Sequence, residues 1–280
     1  MQLPLGIRAH DLAYDQLDQI AKAVSVKGFH AVQLALAKSI KNVSTVTGSL
    51  SPGYAKHIKH VFNQHEVNIA ILGCYINMIH PDEKQRDKLL DRFKEHLRLA
   101  RDFGCSIVAS ETGNVHEKMG YTEGNFTEEA FQQVVESVRI LTDEAGKWGV
   151  TVGIEGGVNH PIHTPAKMKR LLDEIDSSQL QVIFDPANYM TPDNCHDQEG
   201  VFQESFALFG DRIVAVHAKD FIIEDHKVKM VPVGQGKLRY DLLFAWIKKN
   251  KPFMEVCMEN TKEPYIDEGR RYLERMYRES

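Results

Sequence analysis

Four short apolar runs in the second half of the chain each end in a residue that can bind a divalent metal ion. The runs read VTVGIE, LQVIFD, IVAVH and FMEVCME, and they end at Glu155, Asp185, His217 and Glu259. A site with three carboxylates and one imidazole suits Mn²⁺, Mg²⁺ or Co²⁺, and Zn²⁺ also accepts these donors. We therefore expect one bound divalent metal ion as the cofactor.

The spacing of these four residues matches consecutive strands of a (β/α)₈ barrel. They lie 30, 32 and 42 residues apart, and such a barrel of about 250 residues uses roughly 31 residues for each strand-helix unit. In these barrels the chemistry takes place at the C-terminal ends of the strands. Strand alternation places Ile183 and Ala215 inside the barrel with the four candidates.

The elements needed to position these residues are predicted along the whole chain. Short β-rich runs alternate with amphipathic helices, which is typical of a parallel sheet. The remaining strand candidates are LPLGIR, AVQLAL, NIAILGCYIN and CSIVASE, which makes eight. No linker or change of composition divides the chain, so we predict an α/β protein with a single TIM-barrel domain over residues 1–280. An open doubly wound sheet is the alternative, and the absence of GxGxxG after the first strand disfavours it.

Composition and charge limit the possible partners and the expected cellular location of the protein. The net charge of −5 and the pI near 6.2 disfavour nucleic acid as the main partner. No apolar run approaches the ~18 residues of a membrane span, and the N-terminal segment MQLPLGIRAHDL lacks the pattern of a signal peptide. The four cysteines form no CxxC pair, so we expect free thiols and a cytoplasmic protein. The charged C-terminal segment EGRRYLERMYRES predicts a solvated helix face or a contact in a homo-oligomer.

Several motifs resemble those of the xylose isomerase-like TIM-barrel superfamily, the group that contains ketose 3-epimerases, hydroxypyruvate isomerase and inosose dehydratase. The resemblance follows the strand order of nearly the whole chain and is most specific in its second half. It is carried there by GIEGG around Glu155, FDPAN around Asp185, VHAKD around His217, PVGQG at 232–236 and MEN around Glu259. The segments GFHAVQL at 28–34 and CYINMIHPD at 74–82 are less specific.

The resemblance implies a metal-dependent isomerase or epimerase of carbohydrate metabolism. Glu155 and Glu259 would bind the metal and move the proton, through a cis-enediolate held by the metal, while Asp185 and His217 complete the ligand set. Two carboxylates on opposite sides of a sugar or polyol substrate would invert a carbon atom. One carboxylate acting alone would give aldose–ketose isomerisation, and the residues leave both outcomes open.

The sequence leaves three alternative activities open and supports them unequally. A lyase similar to inosose dehydratase would expel a β-hydroxyl from a keto-polyol instead of returning the proton. A phosphodiesterase similar to the apurinic endonucleases needs several more histidines, and Asn188 stands where many relatives carry one. A barrel that binds sugar without turnover is disfavoured because all four ligand positions carry competent residues.

Further polar residues at strand ends are candidates for substrate binding. Lys219 follows His217 by two residues and shares its strand face, so it would polarise a substrate oxygen or neutralise the acidic site. The other candidates, for which a purely structural role is comparably well founded, are Asn188, Glu111, Arg8, His10 and Asn77. Glu255 should share the inner face with Glu259, so it needs a basic partner or a bulge that turns it outward.

Overall fold

Eight parallel strands close into a barrel in the computed structural model, which describes residues 2–280. The order around the barrel is β1-β2-β3-β4-β5-β6-β7-β10, which confirms the predicted (β/α)₈ fold. The barrel strands are β1 (Leu5–Arg8), β2 (Ala31–Leu34), β3 (Asn68–Gly73), β4 (Ile107–Glu111), β5 (Thr151–Glu155), β6 (Leu180–Phe184), β7 (Ile213–Ala218) and β10 (Glu255–Met258). Two more strands, β8 (Asp220–Glu224) and β9 (Lys227–Val231), pair with each other outside the barrel.

Helices follow the strands and surround the barrel. They are α1 (Leu17–Val26), α2 (Leu36–Ser39), α3 (Pro52–Gln64), α4 (Glu83–Leu99), α5 (Glu128–Trp148), α6 (Pro165–Ile175), α7 (Gln198–Phe209), α8 (Tyr240–Asn250) and α9 (Ile266–Glu279). Local capping marks the start of α6: the Thr164 hydroxyl accepts a hydrogen bond from the Lys167 amide at 3.1 Å, and Pro165 occupies the first helical position. None of the helices in residues 2–280 is long and apolar enough to cross a membrane.

Two apolar cores hold the barrel together. The larger one lies between the strands and the surrounding helices. The smaller one fills the barrel interior and consists of Ile71, Ala109, Ile183, Ala215 and Cys257, all buried. The predicted inward orientation of Ile183 and Ala215 is thereby confirmed, and the polar residues at the C-terminal strand ends lie above an apolar interior.

The hairpin β8–β9 is the main element that the sequence did not predict. It is antiparallel, and its turn residues Asp225 and His226 adopt left-handed φ angles of 49° and 54°. It follows β7 directly and accounts for the longer interval before Glu259. Its base is fixed by the buried Asp220 carboxylate, which accepts backbone N–H bonds from the positions Phe221, Gly234, Gly236 and Leu238.

The PVGQG motif is explained by this carboxylate. A Cβ on Gly236 would lie 2.1 Å from an Asp220 oxygen, so a side chain at this position would displace the carboxylate. The amides of Gly234 and Gly236 are bonded to Asp220 at 3.0 and 3.1 Å. This loop therefore anchors the chain between the hairpin and α8 instead of presenting its amides to a ligand.

Candidate metal centre

The four predicted metal ligands meet at the C-terminal end of the barrel. Glu155 ends β5, Asp185 directly follows β6, His217 lies near the end of β7, and Glu259 directly follows β10. One potential ligand atom from each lies within 4.8 Å of the others. All four residues are buried, with at most 2% of their surface exposed. Four residues separated by up to 104 positions thus form one cluster.

His217 lies between the two glutamates. Its Nδ1 atom is 3.2 Å from Glu155 Oε2 and 3.6 Å from Glu259 Oε1. Burial acts to lower the pKa of His217, but the carboxylates of Glu259 and Glu155 outweigh it and raise the pKa to about 9. Neither ring nitrogen makes a hydrogen bond of acceptable geometry to any residue in 2–280. Since buried polar groups are normally bonded, the imidazole is suited to a further partner in the cluster.

Lys219 places a positive charge among the carboxylates. Its Nζ atom is 2.7 Å from Asp185 Oδ2, 2.9 Å from Glu259 Oε2 and 3.6 Å from Glu155 Oε1. Burial alone would lower the pKa of Lys219, but the carboxylates of Asp185, Glu259 and Glu155 raise it well above its usual value. The lysine is therefore charged and offsets part of the negative charge that would otherwise be isolated from water.

The three carboxylates differ in their ionisation. Burial raises the pKa of Asp185 to about 6, although Lys219 acts against this shift. Burial also acts to raise the pKa values of Glu155 and Glu259, but His217 and Lys219 outweigh it and hold both below their ordinary value. The two glutamates are therefore ionised and able to accept a proton at neutral pH.

One oxygen of Asp185 is fixed by the backbone. Asp185 Oδ1 accepts hydrogen bonds from the amides of Ala187 at 3.0 Å and Asn188 at 3.3 Å, where a short 3₁₀ helix starts after β6. Its Oδ2 atom points to Lys219 and the other acids. The local turn thus orients this carboxylate with one oxygen left for a cation.

Besides Lys219, two of the predicted substrate contacts, Asn188 and Arg8, bond the centre itself. The Asn188 side-chain amide donates to Glu155 Oε1 at 2.7 Å, and its oxygen accepts from Lys219 at 3.4 Å. Arg8 donates to Glu259 Oε2 at 3.3 Å and forms two bonds of 2.8 Å with Asp11. Both residues therefore hold the glutamates in place from opposite sides of the cluster.

The other three predicted contacts lie further out. Glu111 pairs in register with Glu155 on the neighbouring strand, and its carboxylate is 3.8 Å from His160 Nε2. His10 is half-buried beside Arg8, and burial together with the positive charge of Arg8 lowers its pKa to about 4. Asn77 is bonded within the loops, accepting from the Asn114 amide at 2.9 Å and donating to the His116 carbonyl at 2.9 Å. The structure thus does not bring Asn77 into the cluster.

Gln33 contacts the cluster and Tyr75 contacts Gln33, and neither was among the predicted residues. The buried Gln33 side chain on β2 donates to Glu259 Oε1 at 3.1 Å and bonds the Tyr75 hydroxyl. A polar residue inside the otherwise apolar run AVQLAL was the available signal for Gln33. Tyr75 follows β3 and carried no comparable signal.

The donor set fits a hard divalent cation. Carboxylate oxygens and an imidazole nitrogen are converged and buried, and the imidazole lacks a hydrogen-bond partner among the residues described. Oxygen-rich sites of this kind suit Mg²⁺ or Mn²⁺, and the imidazole also suits Co²⁺ or Zn²⁺. The geometry can therefore hold a metal next to two ionised glutamates.

The family comparison gives one match over most of the chain. The sequence model of the xylose isomerase-like TIM barrel family matches residues 20–276. No curated protein sequence is significantly similar to the chain. The chain spans 42% of the length of a structurally similar xylose isomerase-like TIM barrel/4-hydroxyphenylpyruvate dioxygenase fusion protein, at 17% identity and a TM-score of 0.70.

Three other solved structures align along nearly their whole length. A 3-keto-D-glucoside 4-epimerase from E. coli is 17% identical, with a TM-score of 0.73 and coverage of 98% of this chain and 99% of the epimerase. A probable 3-DHS dehydratase from Bacillus anthracis is 14% identical, with a TM-score of 0.72 and coverage of 98% and 97%. A xylose isomerase-like TIM barrel protein from Mycobacterium smegmatis in complex with magnesium is 14% identical, with a TM-score of 0.72 and coverage of 98% and 96%. At these identities the similarity establishes the fold.

Proposed function

The chain belongs to the xylose isomerase-like TIM barrel family, and we propose that it is a metal-dependent sugar or ketose isomerase or epimerase. The observation that carries this proposal is the buried cluster of Glu155, Asp185, His217 and Glu259 at the C-terminal end of the barrel. Active sites of TIM-barrel enzymes lie at this end. Perturbed ionisable groups gathered there are typical of a catalytic site.

The four clustered residues would hold one divalent ion. The charge balance of the metal-bound state supports this proposal. Metal binding requires the neutral form of His217, and in that form three ionised carboxylates leave an excess of negative charge that Lys219 offsets only in part. Adding a dication to the ammonium group makes the formal charges of the centre sum to zero. A bound ion of this kind polarises a substrate carbonyl and acidifies the neighbouring C–H bond. Mg²⁺, Mn²⁺ and Co²⁺ are favoured, and the similar Mycobacterium smegmatis protein is described with magnesium.

Glu155 and Glu259 are proposed as the groups that move the proton. Both have pKa values held below the ordinary range, so each is ionised at neutral pH, the state that a general base requires. They flank His217 and derive from β5 and the end of β10, which lie on either side of β6 and β7. This placement favours proton removal on one face of the substrate and return on the other, as epimerisation requires.

The surroundings favour a neutral sugar or polyol. Arg8 is already bonded to Asp11 and Glu259, so its charge is balanced within the protein. Asn188 and Lys219 lie close enough to the clustered carboxylates to contact substrate oxygens as well. Glu111 lies at the neighbouring strand end, where a sugar hydroxyl would find an acceptor. We propose Asn188, Lys219 and Glu111 as substrate contacts.

Proton transfer can be tested without knowing the natural substrate. Incubation of the Mn²⁺-supplemented protein with a panel of ketoses in D₂O should introduce deuterium at the carbon next to the carbonyl, detected by NMR. Glu155→Gln and Glu259→Gln should each lower this exchange about 10²–10⁴-fold, the usual contribution of a general base. Absence of exchange across the panel, with metal bound, would refute the isomerase and epimerase proposal.

A dehydratase acting on a keto-polyol is the second candidate. The structural similarity to the probable 3-DHS dehydratase favours it, and loss of a β-hydroxyl begins with the same proton abstraction. A dehydratase would convert inosose with loss of water and produce an enone that absorbs ultraviolet light. An epimerase would give deuterium exchange in ketoses without this absorbance.

A further inference from the structure

A cavity next to the candidate centre has two chemically different sides. Its volume is about 270 Å³, and Asn188, which bonds Glu155, lines it. Polar side chains of Glu111, Asn159 and His160 line it as well. The apolar lining residues are Val158, Ala187, Met190, Val228 and Met230. A ligand in this cavity would therefore meet hydrogen-bonding groups on one part of its surface and hydrocarbon or thioether groups on another.

The apolar side is contributed in part by the hairpin β8–β9. Along β9 the side chains alternate, so that Val228 and Met230 are half-buried while Lys227 and Lys229 are exposed. Val228 pairs in register with Ile223 on β8, and both pack against the main core. The inner face of the hairpin is thus an ordered apolar surface that is continuous with the protein interior and turned towards the cavity.

The hairpin is fixed close to the reacting groups. It starts at Asp220, the residue after Lys219, and the Tyr240 hydroxyl donates to the Lys219 carbonyl at 2.6 Å. Asp220 accepts four backbone hydrogen bonds from the chain on both sides of the hairpin. Because both ends of the hairpin are held in this way, Val228 and Met230 have a defined position relative to Lys219.

We propose that Val228 and Met230 determine substrate specificity by selecting a sugar that carries an alkyl or aryl group at the end remote from the metal. This inference rests on the proposed function and specifies its substrate class as a glycoside whose carbonyl group lies on a ring carbon other than the anomeric carbon. A free sugar would turn a hydroxyl towards the aliphatic and thioether groups, where it loses its hydrogen bonds to water. An alkyl or aryl group at the same place instead removes apolar surface from water on both partners.

The test compares free sugars with their glycosides by isothermal titration calorimetry on the full-length, Mn²⁺-supplemented protein. The pairs are D-glucose with phenyl β-D-glucopyranoside and D-galactose with phenyl β-D-galactopyranoside. In at least one pair the glycoside should bind about tenfold or more tightly, in keeping with the discrimination of hydrophobic pockets. The double variant Val228→Ser/Met230→Gln should bring the ratio of dissociation constants close to one. Met230→Leu, which keeps the wall apolar, should retain the ratio.

The matched control is Lys227→Ser/Lys229→Gln, which alters the outer face of the same strand and should leave the ratio unchanged. Equal binding of free sugar and glycoside in both pairs would overturn the inference and leave the proposed function intact. A preference that survives the Val228/Met230 double variant would equally overturn the role of the hairpin. If none of the four sugars binds, the inference fails, and the deuterium exchange test decides the sugar-enzyme proposal separately.

Discussion

Two glutamates at opposite ends of one barrel strand have opposite surroundings. Glu259, at the C-terminal end of β10, is 2% exposed and contacts Arg8, Gln33 and Lys219. Glu255, at the N-terminal end, keeps about a third of its side chain exposed and lies 3.1 Å from His30 Nε2. Between them the buried Cys257 belongs to the apolar interior. Glu255 is thus accommodated by a basic partner and by partial exposure to solvent, and not by a bulge that turns it outward.

The two ends of the barrel therefore differ in their physical role. At the N-terminal end the single carboxylate is solvated and paired with one histidine, so it needs no further compensation. At the C-terminal end three carboxylates are removed from water and placed next to each other, an arrangement that costs free energy unless cations are present. We propose that the protein retains this cluster for function, and the contrast between Glu259 and Glu255 can be tested directly.

The largest difference is expected from removing the charge of Glu259. Glu259→Gln should lower deuterium exchange or turnover about 10²–10⁴-fold, because it removes a proposed base and a metal ligand. The measurement is turnover of the best substrate found in the ketose panel, with metal content determined in parallel. Activity within a factor of two of the wild-type protein would contradict the role assigned to the C-terminal end.

The next largest effect is expected from Lys219. In metal-free protein, Lys219→Met should lower the free energy of unfolding by about 3–5 kcal/mol, since it leaves buried carboxylates without their ammonium partner. Urea unfolding in the presence of a chelator measures this, and added Mn²⁺ should restore part of the loss by binding the native state. The control Lys229→Met, on the exposed face of the hairpin, should change stability by no more than about 0.5 kcal/mol. Wild-type stability of Lys219→Met would show that the cluster is not under electrostatic strain.

A smaller effect is expected from His96, a buried histidine that lacks the carboxylate neighbours of His217. Burial lowers the pKa of His96 on α4 to about 4, whereas the carboxylates beside His217 raise its pKa to about 9. Because the folded-state pKa of His96 lies below the unfolded value near 6.5, its contribution to stability is present above pH 6.5. That contribution is lost as the pH falls towards 4, by about 3 kcal/mol at most. Urea unfolding at pH 7 and pH 4.5 should show a smaller loss for His96→Gln than for the wild-type protein. Equal losses in the two proteins would refute this assignment.

The smallest effect is expected at the N-terminal end of the barrel. Glu255→Gln should change the free energy of unfolding by less than about 1 kcal/mol, as is usual for a partly exposed ion pair, and should leave activity unchanged. Urea unfolding and the same turnover assay provide the comparison with Glu259→Gln. A large loss of activity in Glu255→Gln would remove the distinction between the two ends.

The barrel itself was predictable because its signals are local and repeated. Each barrel strand is a short apolar run, and the roughly constant interval between runs indicates strand-helix units. The hairpin β8–β9 was not predicted because its strands pair with each other, away from the barrel. Its position depends on Asp220, whose four backbone hydrogen bonds join parts of the chain up to 18 residues away. Such contacts leave no periodic pattern in the sequence.

The candidate site was predictable where the proposed functional residues lie at the ends of strands. Glu155, Asp185, His217 and Glu259 each close an apolar run, so their convergence follows from the barrel; their catalytic and ligand roles stay predictions. Gln33 was missed because it lies within its strand, and its importance depends on the position of Glu259, 226 residues away. Asn77 satisfied the same strand-end criterion as the true cluster members, yet its side chain bonds loop backbone.

Metal content tests the central claim most directly. The protein should be purified without chelator and analysed for Mn, Mg, Co and Zn by elemental analysis, beside the variants Glu155→Gln and His217→Ala. The account predicts about one divalent ion per wild-type chain and a marked loss in both variants, whose folding is checked by circular dichroism. A wild-type protein that contains no metal and takes none up on titration would contradict the proposed metal-dependent isomerase or epimerase.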